Sequence, residues 1–201
     1  MRAKPRLATF PSQLIAGRDG AAAIEFALIF PVMFALFMGS IEITNLLMAN
    51  LKTTAATEAA SDLLAQTRAT ANATTKTGLD SYYVAAGMIM APFPTTTSPT
   101  FPTAGLKVAF ANITFNGAGT PSVAWHYEKN GAARITTAGL DTVTLRKLAG
   151  ANDSVVMVQS TYVYNSPISF MLGTAYTFSD IAYNHPRYVP SVACTDCALG
   201  P

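Results

Sequence analysis

Apolar residues run almost without interruption from Gly20 to Leu51, GAAAIEFALIFPVMFALFMGSIEITNLLMANL, and no charge falls between Phe26 and Ile41. Roughly 20 such residues at about 1.5 Å rise each are enough to cross a bilayer as one helix. Pro31 lies inside the run and predicts a kink, which a membrane helix tolerates when its neighbours satisfy the freed carbonyl. Further on, Leu47, Leu51, Ala55, Ala59 and Leu63 recur every four residues, with Lys52, Glu58, Asp62 and Arg68 among the polar positions. This predicts one helix from about Ala21 to Gln66, with that small-residue row as the face that packs on a sheet, on another helix or into an ordinary core.

Residues 69 to 80 are polar and read as a connection, after which Asp80 or Ser81 is placed to cap a helix over SYYVAAGMIM. Pro92, Pro94, Pro99 and Pro102 then predict an extended surface loop. From Leu106 the period changes to two. LKVAFANITFN, SVAWHYEK, ARITTA and SVVMVQSTYVYN read as strands, with NGAGTPS as a turn between the first two. SPISFMLGTAY reads as a short helix or loop leading to a last strand, TFSDIAYN. A long helix followed by an antiparallel sheet is an α+β arrangement.

Charge adds a direction. The net charge of +2 divides unevenly: Arg2, Lys4, Arg6 and Arg18 against Asp19 make the first 20 residues strongly basic, and the remainder is slightly acidic. Under the positive-inside rule the N-terminus is cytoplasmic and everything after Leu51 lies on the far side. Residues 1–20 are then a basic leader or cytoplasmic tail, 21–50 a transmembrane helix, and 51–201 a periplasmic domain. A secretory signal peptide would have a shorter apolar core, followed by a cleavage site of small residues. No basic cluster lies in the large domain, so the sequence predicts no nucleic-acid partner.

Candidate chemistry is sparse. His126 and His185 are the only histidines, and no zinc-protease, nucleophile-elbow or phosphate-loop pattern surrounds them, so no catalytic residue, metal or cofactor is predicted. His126 in AWHYEK alternates as a structural strand residue. Asn72 and Asn112 head glycosylation tripeptides, which matter only in a eukaryotic secretory context. Cys194 and Cys197 stand in C-x-x-C spacing without the second pair of a zinc ribbon or the helix of a thioredoxin motif. On the far side of a membrane they are expected to oxidise to a local or intermolecular disulfide. Glu25 is a carboxylate near the front of the apolar run, and such a residue is functional by default.

Gly20, Glu25 and Phe26 form G-x-x-x-x-E-F at the junction of a basic leader and a membrane helix. This resembles the cleavage region of type IV prepilins and pseudopilins. RDGAAAIEFALIFPVMFALFMGSIEITNLL is similar to the N-terminal segment of the TadE/TadG-like proteins of tight adherence (Flp) pilus systems, over about residues 18 to 50. The resemblance implies cutting by a prepilin peptidase between Gly20 and Ala21, and a pilin-like far-side domain. It also implies pairing of Glu25 with the new amino terminus of a neighbouring subunit. The partners implied are the membrane, other pilins or pseudopilins, and the inner-membrane platform proteins of the Tad system. The expected role is a pseudopilin or minor pilin. An uncleaved bitopic scaffold or docking subunit is the alternative, with a membrane-tethered enzyme behind both.

Overall fold

The computed structural model describes residues 19–68, 74–96, 105–166 and 175–200. Most of the basic leader, Asn72, Pro99, Pro102 and most of the SPISFMLGTAY crossover lie outside them. The chain divides into two compact units, Met1–Ile43 and Thr44–Pro201.

Helix α1, Asp19–Ala65, is continuous for 47 residues and passes through Pro31. In the first unit its side chains are exposed all round from Ile24 to Phe37. A helix that is apolar on every face belongs in lipid or in a core, and this one is long and apolar enough to cross a membrane.

In the second unit, five strands form one antiparallel sheet: β1 Gly105–Phe115, β2 Pro121–Lys129, β3 Ser154–Tyr164, β4 Tyr176–Asn184 and β5 Ala198–Leu199. The order across the sheet is β4-β3-β1-β2-β5. The β1–β2 hairpin turns where NGAGTPS predicts. Asn116 Oδ1 accepts from Ala118 N (3.0 Å) and Thr120 N (2.9 Å), and Gly119 supplies a φ of 72°. A register shift at Asn112/Ile113 adds a bulge.

Successive residues of β1 and β3 face opposite sides of the sheet, so the sheet has a core on each face. On one, Val108, Phe110, Trp125, Val158 and Tyr162 pack with Ala49, Ala56, Ala60 and Leu64 of α1 and with Leu79, Tyr83 and Ala86 of α2, Lys76–Ile89. On the other, Ala109, Ala111, Ile113 and Met157 pack with Ile135, Leu140 and Leu145, the last from α3, Thr142–Leu148. The fold is α+β, as the pattern predicts.

Three local expectations are corrected. The row Leu47, Leu51, Ala55, Ala59, Leu63 is not the buried face of α1: Leu47 and Leu51 are 56% and 69% exposed, whereas Ala49, Ala56, Ala60 and Leu64 are fully enclosed. The buried row also contains Thr53, Thr57 and Ser61. Bulky aromatics on the sheet leave room opposite them for small side chains. The threonines can be buried because their hydroxyls bond within the helix, Thr53 to Ala49 O (2.8 Å) and Thr57 to Thr53 O (2.7 Å). Thr57 also meets Ser160 of β3.

The second helix starts earlier than Asp80 or Ser81. Thr75 caps it, its hydroxyl accepting from Gly78 N at 3.2 Å. Asp80 lies within the helix and instead accepts from Tyr127 Oη and Lys129 Nζ, each at 2.8 Å.

ARITTA is not a strand. Asn130 and Gly131, at φ 56° and 70°, turn the chain off the end of β2, and Ile135 drops into the second core ahead of a 3-10 turn at Thr137–Gly139. Helix α3 follows, unforeseen in the sequence reading. Asp141 caps it, accepting from Val143 N (3.1 Å) and Thr144 N (3.2 Å). These bonds, with one from the Thr144 hydroxyl, hold the Asp141 carboxyl below the usual range.

Candidate functional site

Two regions hold the residues singled out by sequence: the C-terminal tail and the start of α1. The tail runs along the second unit as a strap of hydrogen bonds. Arg187 N donates to Ala65 O (2.9 Å), and its guanidinium pairs with Asp62. Ser154 Oγ donates to Pro190 O (2.6 Å), Asn112 Nδ2 to Ser191 Oγ (2.7 Å) and Trp125 Nε1 to Val192 O (2.7 Å). Asn112, from one of the glycosylation tripeptides, is therefore a buried sheet residue.

Cys194 and Cys197 are joined in a disulfide, the local one of the two pairings expected. The short loop they close does two jobs. It presents Asp196 to the start of α2, where Oδ1 accepts from Lys76 N at 2.8 Å. It also leads straight into β5, which pairs with Trp125 and His126 of β2. A carboxylate at a helix N-terminus satisfies an orphan donor and complements the helix dipole. Cys194, Asp196 and Cys197 bring their ligand-type atoms within 4.8 Å of one another, but both sulfurs are spent in the disulfide.

His126 is buried in β2, with Nδ1 2.6 Å from Glu128 Oε1, as a structural strand residue. His185 Nε2 donates to Leu148 O at 2.9 Å, and its Nδ1 is 3.8 Å from Asp153. The two histidines thus have separate partners.

At the other end of the chain, Gly20 and Ala21 sit in the first turn of α1, both exposed. A Cβ on Gly20 would meet nothing within 4 Å among the described residues. Glu25 is exposed on the same helix and has no hydrogen-bond or ion-pair partner among the described residues. Phe26 is 63% exposed and begins a ladder along one side of the helix, with ring centroids 5.4 Å from Phe26 to Phe30 and 5.8 Å from Phe30 to Phe34. The i, i+4 spacing stacks these rings one turn apart.

One carboxylate escaped the sequence reading. Glu42, which ends the charge-free run, is fully buried. The signal was available, since an acidic residue among GSIEIT interrupts an otherwise apolar helix.

Searches of curated proteins and of solved structures find no match. Residues 20–62 match the model of the family described as TadE-like protein, a span that opens on Gly20 and covers most of α1. Over that segment the chain is similar to the TadE-like family, and the match leaves the sheet outside it.

Proposed function

We propose that the chain is a pseudopilin-like or minor-pilin-like structural subunit for assembly of a tight adherence (Flp, type IVb) pilus. Residues 21–50 hold it in the bacterial inner membrane with its N-terminus cytoplasmic, and residues 51–201 form its periplasmic domain. A prepilin peptidase cuts between Gly20 and Ala21. The subunit then works with other pilins or pseudopilins and with the platform proteins of the Tad system.

The pairing of a sterically idle Gly20 with an unpartnered Glu25 carries this reading. Among the described residues nothing within 4 Å of Gly20 would meet a side chain, so their packing gives no reason for glycine here. A peptidase does, because glycine eases local unwinding of the first turn and leaves the scissile bond unobstructed. Glu25 points outward from an apolar helix with no partner of its own among the described residues. In lipid such a carboxylate needs a counter-charge, and the amine freed at Ala21 of a neighbouring subunit supplies one.

N-terminal sequencing of the membrane-extracted protein tests the cut. The expected N-terminus is Ala21 in cells with an active prepilin peptidase, and Gly20→Arg leaves the longer chain. Recovery of Met1 or Arg2 from the wild type would overturn processing and leave an uncleaved bitopic scaffold. Glu25→Ala is expected to be cut and inserted normally but to impair assembly, and normal fibres from that variant would remove Glu25 from the mechanism.

A further inference from the structure

A cleft of about 440 Å³ lies in the second unit between α1 and β4. From α1 it is lined by Thr54, Glu58 and Asp62, one helical turn apart, and from β4 by residues 180–184 without a gap. Consecutive strand residues point to opposite faces of a sheet. A cleft lined by five in a row therefore follows the strand's edge, where the backbone is presented. β4 is an edge strand and pairs with β3 alone among the described strands.

We propose that this edge binds an extended, positively charged segment of another protein chain, which adds to β4 as a further strand. The charge of the cleft selects the occupant. Asp62 is already paired with Arg187, but Glu58 and Asp180 have neither an ion-pair nor a hydrogen-bond partner among the described residues. Phe178 packs in the core beneath α1 and Asn184 Nδ2 donates to Ser61 Oγ (3.1 Å), so Asp180, on the same alternation, faces the helix that carries Glu58.

An added strand would send every second side chain toward these carboxylates. Its alternate residues recur every ~6.6 Å, close to the ~6 Å between helix positions four apart. Lysine or arginine at alternate positions matches that spacing. The residues between would lie beside the row of Thr177, Ser179 and Ile181, exposed on the opposite face, which suits threonine or valine. The same carboxylates act against the wrong partner, because an acidic residue in mid-edge repels a second copy of β4 brought alongside it. The binding site stands independently of whether the leader is cut.

The test uses the full chain in nanodiscs. The probe is a capped peptide of nine residues, the length of β4, alternating lysine and threonine, with a control in which glutamate replaces lysine. The lysine peptide is expected to bind, to weaken as salt rises, and to slow hydrogen exchange of the β4 amides. Glu58→Lys with Asp180→Lys is expected to weaken binding roughly tenfold, the effect of two surface ion pairs at the upper end of their usual strength. Emission of the single tryptophan, Trp125, checks that the variant is folded. If it is not, Glu58→Gln with Asp180→Asn makes the same test without adding charge. Equal binding of the two peptides, or protection that falls away from residues 176–184, would overturn the proposal.

Discussion

Shortening Leu64 to alanine removes the same atoms from α1 as shortening Leu51, yet the two changes are expected to differ severalfold in cost. Leu64 has no exposed surface and lies in the core with Phe110, Val158 and Tyr162, whereas Leu51 is 69% exposed. A buried Leu→Ala loses its transfer free energy and leaves a cavity, about 2–5 kcal/mol together. Rigid aromatic neighbours limit collapse into the space, which places Leu64→Ala near 3 kcal/mol. At a surface site the change stays within about 0.5 kcal/mol. For a domain of this size, ~3 kcal/mol lowers the melting temperature by roughly 6–12 °C. Trp125 is the chain's one tryptophan, 3% exposed, and it is hydrogen-bonded to the tail, so its emission follows unfolding of this core. Thermal scans of the full chain in detergent, wild type beside each variant, supply the comparison. Equal losses in the two variants would show that the four-residue leucine–alanine row is the buried face after all and would refute the packing described.

Replacing both Cys194 and Cys197 by serine is expected to cost no more than the low end of the usual ~2–4 kcal/mol, because the two cysteines are only three residues apart and the tail keeps its other bonds; labelling of the wild type by an impermeant maleimide in spheroplasts, only after reduction, would support a periplasmic tail. Gly200→Ala is expected to dislodge β5 from β2, since a Cβ there would collide with the Val123 carbonyl, and unchanged exchange at Gly200 N, which donates to Ala124 O at 3.1 Å, would contradict this. Burial pushes Tyr162 up to about 12. Its unfolded value is near 10, so the neutral phenol's contribution, about 2–3 kcal/mol, is fully present below pH ~10 and lost as pH rises toward 12. Tyr162→Phe should flatten that alkaline loss of stability, and an unchanged slope would count against it. At the acid end, burial pushes Asp80 up, but the bonds from Lys129 and Tyr127 outweigh it and hold its carboxyl below the usual range. Its contribution is present above pH ~4 and fades as pH falls through the folded value; Asp80→Asn should remove that acid-side dependence from a pH series of melts.

The start of α1 was legible because every feature of it is local. Length, apolarity and the absence of charge add along the chain, so a run from Gly20 to Leu51 announces a helix long enough for a membrane whatever surrounds it. Strand alternation survived in the same way for β1, β2, β3 and β4.

What the sequence could not determine was decided by partners distant along the chain. The buried face of α1 is the one with room for aromatics contributed by β1 and β3, and four-residue spacing cannot anticipate that. Helix α2 starts where Thr75 caps it and Asp196, 120 residues beyond Lys76, accepts one of its first amides. ARITTA has the alternation of a strand, but Asn130 and Gly131 turn the chain away from the end of β2, and one buried isoleucine fixes its place instead. Sequence alone thus determined the membrane-length helix and the α+β class, because backbone period and hydropathy are properties of neighbouring residues. Tertiary structure decided which face is buried, what caps α2 and where the tail is tied, because packing volume and hydrogen-bond satisfaction are settled between residues the chain brings together only on folding.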